Sequence, residues 1–190
     1  MSAADFGPPI LILGVAPRSG TNFLFDLVTQ HPDANGCPAV YEDYLLMHAN
    51  RLDTYVRSVI GQWRGMEAIW RRQYDDAAGQ ALLQAIGNGL IGFLQARSKP
   101  PRLVTKTPSP ANIDLTFQLF PHARLLVLVR DGRSVVESAV RSRLGPHHGH
   151  RYDAFTRQWA EAARQIIAFD ALYRGSDRPY LLLRYESLVT

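Results

Sequence analysis

Residues 10–24, ILILGVAPRSGTNFL, constrain this chain more than any other stretch: an apolar run empties into a turn punctuated by proline and glycine and carrying Arg18, Ser19 and Thr21. That order predicts a buried strand, a tight loop and a helix N-terminus. The first N–H groups of a helix have no intrahelical partner and, with the aligned peptide dipoles, amount to about half a positive charge, so an anion is stabilised there. Gly20 lets the backbone close on such an anion, Ser19 and Thr21 add hydroxyl donors, and Arg18 supplies a planar cationic fork. Phe23, Leu24, Leu27 and Val28 then recur at helical spacing, and the helix stops before Pro32, which restricts His31.

Residues 123–145, ARLLVLVRDGRSVVESAVRSRLG, repeat the design. Residues 125–129 form a continuous apolar run, as in a strand covered on both faces. Arg130 lies at its carboxyl end and Asp131 is placed to cap the next helix. At helical spacing Ser134, Ser138 and Arg141 share one face, and Val135, Val136, Ala139 and Val140 the other. One side packs and the other is offered to an anion. Residues 180–189, YLLLRYESLV, read as a further strand with a polar end.

The first loop departs from the nucleotide-triphosphatase pattern GxxxxGK[ST]: five residues separate Gly14 from Gly20 and no lysine precedes Thr21. With its cation at Arg18 it resembles the 5′-phosphosulfate loop of sulfotransferases that use 3′-phosphoadenosine 5′-phosphosulfate (PAPS). The resemblance is closest to the tyrosylprotein sulfotransferase type and its bacterial relatives, through GVAPRSGT, QHPD at 30–33, TKTP at 105–108, LFP at 119–121 and VRDGR at 129–133. It covers most of the chain outside residues 45–100. Asn22 stands where the family usually has a second threonine.

That resemblance implies a P-loop-like α/β fold and a site residue by residue. Arg18, Ser19, Gly20, Thr21, Asn22 and Phe23 would hold the 5′-phosphosulfate. Arg130 and Ser138 would hold the 3′-phosphate, with Arg141 and Arg143 as lesser candidates, and Tyr185 would lie against the adenine. Lys106, one of two lysines beside nineteen arginines, would with Arg18 stabilise charge on the moving sulfuryl group. An acceptor hydroxyl must lose its proton as it attacks sulfur. In AVYEDYLL, Glu42 is the expected base and Asp43 the fallback, both about three positions later than in the family. The reaction so implied is in-line sulfuryl transfer to an acceptor hydroxyl on tyrosine, a sugar or a small molecule, with adenosine 3′,5′-bisphosphate (PAP) leaving and no metal required. Two rivals stand beside it: a non-catalytic module that binds PAP or PAPS, and a P-loop kinase.

A content of 46% apolar residues over 190 positions suits one domain with a substantial core. The formal charge of +4 suits an anionic donor, while the arginines lack the aromatic interleaving of a nucleic-acid groove, so no nucleic-acid partner is expected. A single cysteine, Cys37, allows no intrachain disulfide and reads as a small buried hydrophobe. The N-terminus lacks the pattern of a secretory signal, and the longest apolar stretch is taken to be residues 10–16, too short to span a bilayer. A cytoplasmic location without membrane association is therefore expected, and a homodimer is left open.

Residues 41–98 read as a helical acceptor-side insert whose Trp63, Trp70 and Tyr74 either pack the core or line a cleft. The three histidines of GPHHGHR, residues 145–151, lack the spaced partners of a zinc site and read as an acceptor-side loop. The next helix should bury Phe155, Trp159, Ile166 and Phe169. The expected architecture is three α/β/α layers around a parallel sheet of strands at Ile10, Leu103, Leu125 and Tyr180, with the donor at their carboxyl ends. The resemblance also implies a further helix and a Gly/Ser/Lys-bearing closing loop beyond Thr190, so the domain is expected to lack that segment.

Overall fold

The computed structural model describes residues 6–66, 74–142 and 151–190, and the side chains of all of these except Arg151. Its centre is a five-stranded parallel sheet in the order β2-β3-β1-β4-β5, made of β1 Ile10–Gly14, β2 Asn35–Gly36, β3 Leu103–Thr107, β4 Arg124–Val129 and β5 Tyr180–Arg184. β1 is central, pairing Leu11 with Thr105 on one side and with Leu125 on the other. The two-residue β2, which pairs alongside β3 at the sheet edge, has no sequence signal. Asn and Gly are depleted in strands, and the pairing with Leu103 and Val104 creates this one.

Side-chain alternation along the strands divides the core into two layers. Leu11, Leu13, Leu103, Leu125 and Val127 face Leu83, Ile91, Leu119, Ile166 and Phe169. Ile12, Val104 and Leu128 face Leu24 and Ala34 on the other side. The helices are α1 Thr21–Val28, α2 Ala49–Gly65, α3 Asp76–Gln95, the single turn α4 Thr116–Leu119, α5 Gly132–Arg141 and α6 Arg151–Tyr173. The expected three-layer α/β/α architecture is the one observed.

The expectation that the chain's longest apolar segment is too short to span a bilayer is not met. At 20 residues, α3 is long and apolar enough to cross a membrane by length and composition alone. Here it packs inward through Leu83, Gly87, Ile91 and Leu94, and a Cβ on Gly87 would run into the carbonyl of Leu119. In α6, Ile166 and Phe169 are buried as expected, with Ala162 beside them, while Phe155 and Trp159 are half-buried. Cys37 is buried.

Candidate donor and transfer cleft

The two strand-to-helix junctions meet at the carboxyl ends of β1 and β4. The first turn bends sharply at Arg18 and Gly20, both in the left-handed region at φ 74° and 97°. A Cβ on Gly20 would strike the ring of Tyr185, and one on Gly14 would collide with the Ser19 hydroxyl and Thr21, so both glycines are required by close approach. At the second junction Asp131 caps α5, accepting from the amides of Arg133 at 3.1 Å and Ser134 at 3.2 Å, as its position predicts. The Arg133 side chain and these amides hold the Asp131 carboxyl below its ordinary range. Glu186, just past β5, accepts from the Asp131 amide at 2.9 Å, and that bond lowers its own pKa.

Arginines tie the junctions together. Arg130 donates from Nη1 to the Arg18 carbonyl at 2.9 Å, and Arg18 donates from Nε to Ser138 Oγ at 3.0 Å. The Arg130 guanidinium lies 4.4 Å from the centre of the Tyr185 ring, which meets Phe23 edge-on at 5.9 Å. The second junction therefore holds Arg18, Arg130, Ser138 and Tyr185 as one connected group. Arg18, expected at the sulfuryl end, has its guanidinium on Ser138 instead. Arg141 is engaged with Glu137 on the helix surface, and Arg143 lies outside the described residues.

The loop following β2 supplies the opposite wall. Glu42 and Asp43, adjacent in sequence, turn apart. Asp43 accepts at Oδ1 from the Leu45 amide at 2.8 Å and the Thr107 hydroxyl at 2.9 Å. Burial raises its pKa, against the interactions with Thr105, the Leu45 amide and Thr107, which favour ionisation. Glu42 instead lines the cleft, accepts the hydroxyl of Tyr44 at Oε2, and stands with Oε1 3.6 Å from Lys106 Nζ. The bond to Glu42, with burial second, raises the Tyr44 phenol.

Lys106 lies within β3 and is only 3% exposed. The ring of Tyr41 covers it at 3.7 Å, and Asn22 Nδ2 donates to the Tyr41 hydroxyl at 2.6 Å. A cleft of about 670 Å³ is lined by Arg18, Gly20, Thr21, Asn22, Phe23 and Arg130 on one side and Tyr41, Glu42, Tyr44 and Met47 on the other. Ser19 is fully buried, with its hydroxyl beneath Gly14. Its side chain does not face the cleft as expected.

The insert contributes to these walls through its first residues, Tyr41, Glu42, Tyr44 and Met47, and not through the aromatics of its helices. Trp63 meets Tyr74 at a tilt, ring centres 5.1 Å apart, and neither lines the cleft. Trp70 and the histidines of residues 147–150 fall outside the described residues. Among the described residues no cluster of metal-ligating side chains occurs. Sequence reasoning missed Tyr41 and Tyr44, although both flank Glu42 in the same short segment. Their roles depend on a loop conformation that no periodicity encodes.

An anionic donor fits what is present. The Lys106 ammonium is buried without a hydrogen-bond partner among the described residues, the left-handed turn brings backbone close to the cleft, and two guanidinium groups border it.

Comparison with known proteins agrees. Residues 8–190 match the model of the Sulfotransferase family. The chain is 27% identical over 187 residues to Protein-tyrosine sulfotransferase A of Caenorhabditis elegans, covering 95% of this chain and 46% of that protein. It is 29% identical over 143 residues to Protein-tyrosine sulfotransferase 1 of Homo sapiens, covering 70% and 34% respectively. The chain thus spans less than half the length of these curated relatives. Its fold resembles the solved Sulfotransferase Domain from the Curacin Biosynthetic Pathway at a TM-score of 0.59 and 24% identity, covering 96% of this chain and 69% of that one. The Sulfotransferase Domain from the Synechococcus PCC 7002 Olefin Synthase superimposes equally well, at 0.59 and 25% identity, covering 96% and 68%. With a family match running from Pro8 to the last residue and two strand-to-helix junctions joined in one cleft, the chain belongs to the sulfotransferase family.

Proposed function

We propose that this domain is a PAPS-dependent sulfotransferase that moves a sulfuryl group to an acceptor hydroxyl. The observation that carries this reading is the bond from Arg130 to the Arg18 carbonyl, which makes the two junctions walls of one site. The donor supplies a sulfuryl group already activated by a phosphate leaving group. Arg130, Arg18 and Ser138 form the group suited to the nucleotide's 3′-phosphate, with Tyr185 beside them for the base. The amides of Gly20 and Thr21 and the Thr21 hydroxyl are suited to the 5′ end.

Glu42 is the base. Of the two carboxylates, it alone borders the cleft, whereas Asp43 is committed to Thr107 and Leu45. Lys106, 3.6 Å from Glu42, supplies the cation for charge developing on the bridging oxygen, and Tyr41 must swing aside for it to do so. The relatives named for tyrosine sulfation favour a phenolic acceptor.

The test is a calorimetric titration with adenosine 3′,5′-bisphosphate, followed by sulfuryl transfer to a simple phenol. Tight metal-free binding and turnover are expected. Binding without turnover would leave a nucleotide-binding module, and magnesium-dependent ATP binding without bisphosphate binding would replace the reading with a kinase.

A further inference from the structure

The acceptor side of the cleft already contains a phenol. Tyr44 directs its hydroxyl to Glu42 Oε2, the carboxylate assigned to deprotonate the acceptor; the residue is 43% exposed and lines the cleft bordered by Arg18, Thr21 and Arg130. The neighbouring Tyr41 is placed differently: its hydroxyl accepts from Asn22 and its ring covers Lys106.

The backbone at Tyr44 is held for this placement. Tyr44 sits at φ 51°, a conformation uncommon for a residue with a side chain, and its amide donates to the Thr107 hydroxyl at 3.0 Å. Thr107 in turn donates to Asp43. Strain of this kind persists only where the surroundings enforce it, and it concentrates at functional sites.

We propose that Tyr44 is an intramolecular acceptor, so that the domain sulfates itself at this residue; the inference rests on the sulfotransferase reading above. The phenol oxygen of Tyr44 forms a bond to the sulfur of PAPS. The bond between that sulfur and the oxygen of the 5′-phosphate breaks, and its electron pair leaves with adenosine 3′,5′-bisphosphate. The phenol proton passes to Glu42 Oε2. The product is a tyrosine O-sulfate that places a fixed negative charge on the acceptor side beside Glu42.

The experiment incubates the full chain with sulfur-35-labelled PAPS and no added acceptor, then maps the label by peptide fragmentation. One sulfuryl group per chain is expected, on Tyr44, at a rate per molecule independent of protein concentration. Tyr44→Phe should reduce label to background, and Glu42→Gln, which keeps the phenol, should slow labelling by about 10²–10⁴. Without donor, ultraviolet difference titration of the chain against Tyr44→Phe should show this phenol ionising above the ordinary range, and Glu42→Gln should bring it back. A chain that binds the bisphosphate and sulfates an added phenol yet stays unlabelled, or carries label on Tyr41 or elsewhere, overturns the proposal while leaving the sulfotransferase reading intact. A labelling rate that rises with protein concentration overturns it as well. A chain that neither binds the bisphosphate nor transfers label removes the reading and the proposal together.

Discussion

The ring of Tyr41 lies 3.7 Å from the ammonium nitrogen of Lys106 and covers a cation that is otherwise buried beside Glu42. A cation over an aromatic face is stabilised by about 0.5–2 kcal/mol, and here the aromatic is itself 72% exposed, a cover on the cleft side of the lysine. Tyr41→Ala should therefore raise the rate at which amine-acylating reagents modify Lys106, several-fold or more, as read by peptide mapping. Equal reactivity in the two proteins would show that the ring does not shield the ammonium.

Arg130 holds the Arg18 carbonyl and packs on Tyr185, so its removal should loosen both junctions. Arg130→Ala should weaken adenosine 3′,5′-bisphosphate by about 1.5–3 kcal/mol, the scale of a hydrogen bond to a charged group. Arg130→Lys should recover only part of this, because an ammonium cannot reproduce a planar fork that also lies against a ring. Calorimetry decides, and unchanged affinity in the alanine variant would remove Arg130 from the donor site.

Glu42→Gln should lower kcat toward an added phenol by about 10²–10⁴ while donor affinity stays near that of the parent. Steady-state kinetics beside a bisphosphate titration separate the two effects. Full retention of kcat would transfer the role of base to another group.

Asp43 titrates with a raised pKa because it is buried, so the folded chain holds its proton more tightly than the unfolded chain does. Stability from this group is then greatest below its ordinary pKa of 3.8 and is lost as pH rises through the higher folded value. Asp43→Asn keeps an oxygen acceptor for Thr107 and Leu45 without the charge. Across that window the variant should gain stability relative to the parent as pH rises, measured as denaturation midpoints at several pH values. Parallel profiles would contradict the assignment.

Gly87 allows α3 to approach the Leu119 carbonyl more closely than any side chain permits. Gly87→Ala should destabilise the fold by about 1–3 kcal/mol through overpacking, despite the better helix propensity of alanine. Gly89→Ala on the same helix, where a Cβ meets open space, should be neutral or slightly stabilising. Urea midpoints of the two variants provide the comparison.

Much of the fold was legible because it depends on short-range pattern. The apolar runs ending at Gly14 and Val129, each followed by a polar turn and a helical repeat, locate two central strands and the junctions beyond them. Asp131 could be recognised as a cap from its position alone, since a cap acts on amides two and three residues away. The two-residue strand at Asn35 was invisible, because its only cause is the neighbouring strand.

The candidate site divides along the same line. Sequence by itself determined which residue types gather at the strand ends: arginine, glycine and hydroxyl side chains at one junction, arginine and serine at the other, and a lysine in the TKTP segment. Those assignments follow from local spacing and from likeness to a family. Only the tertiary structure decided that Arg18 reaches Ser138 across 120 positions, that Glu42 faces the cleft while Asp43 turns inward, and that Tyr41 and Tyr44 line the cleft wall opposite Arg130. The physical reason is that a hydrogen bond or a ring contact is fixed by where two separately folded segments come to rest, and the periodicity of neither segment contains that information.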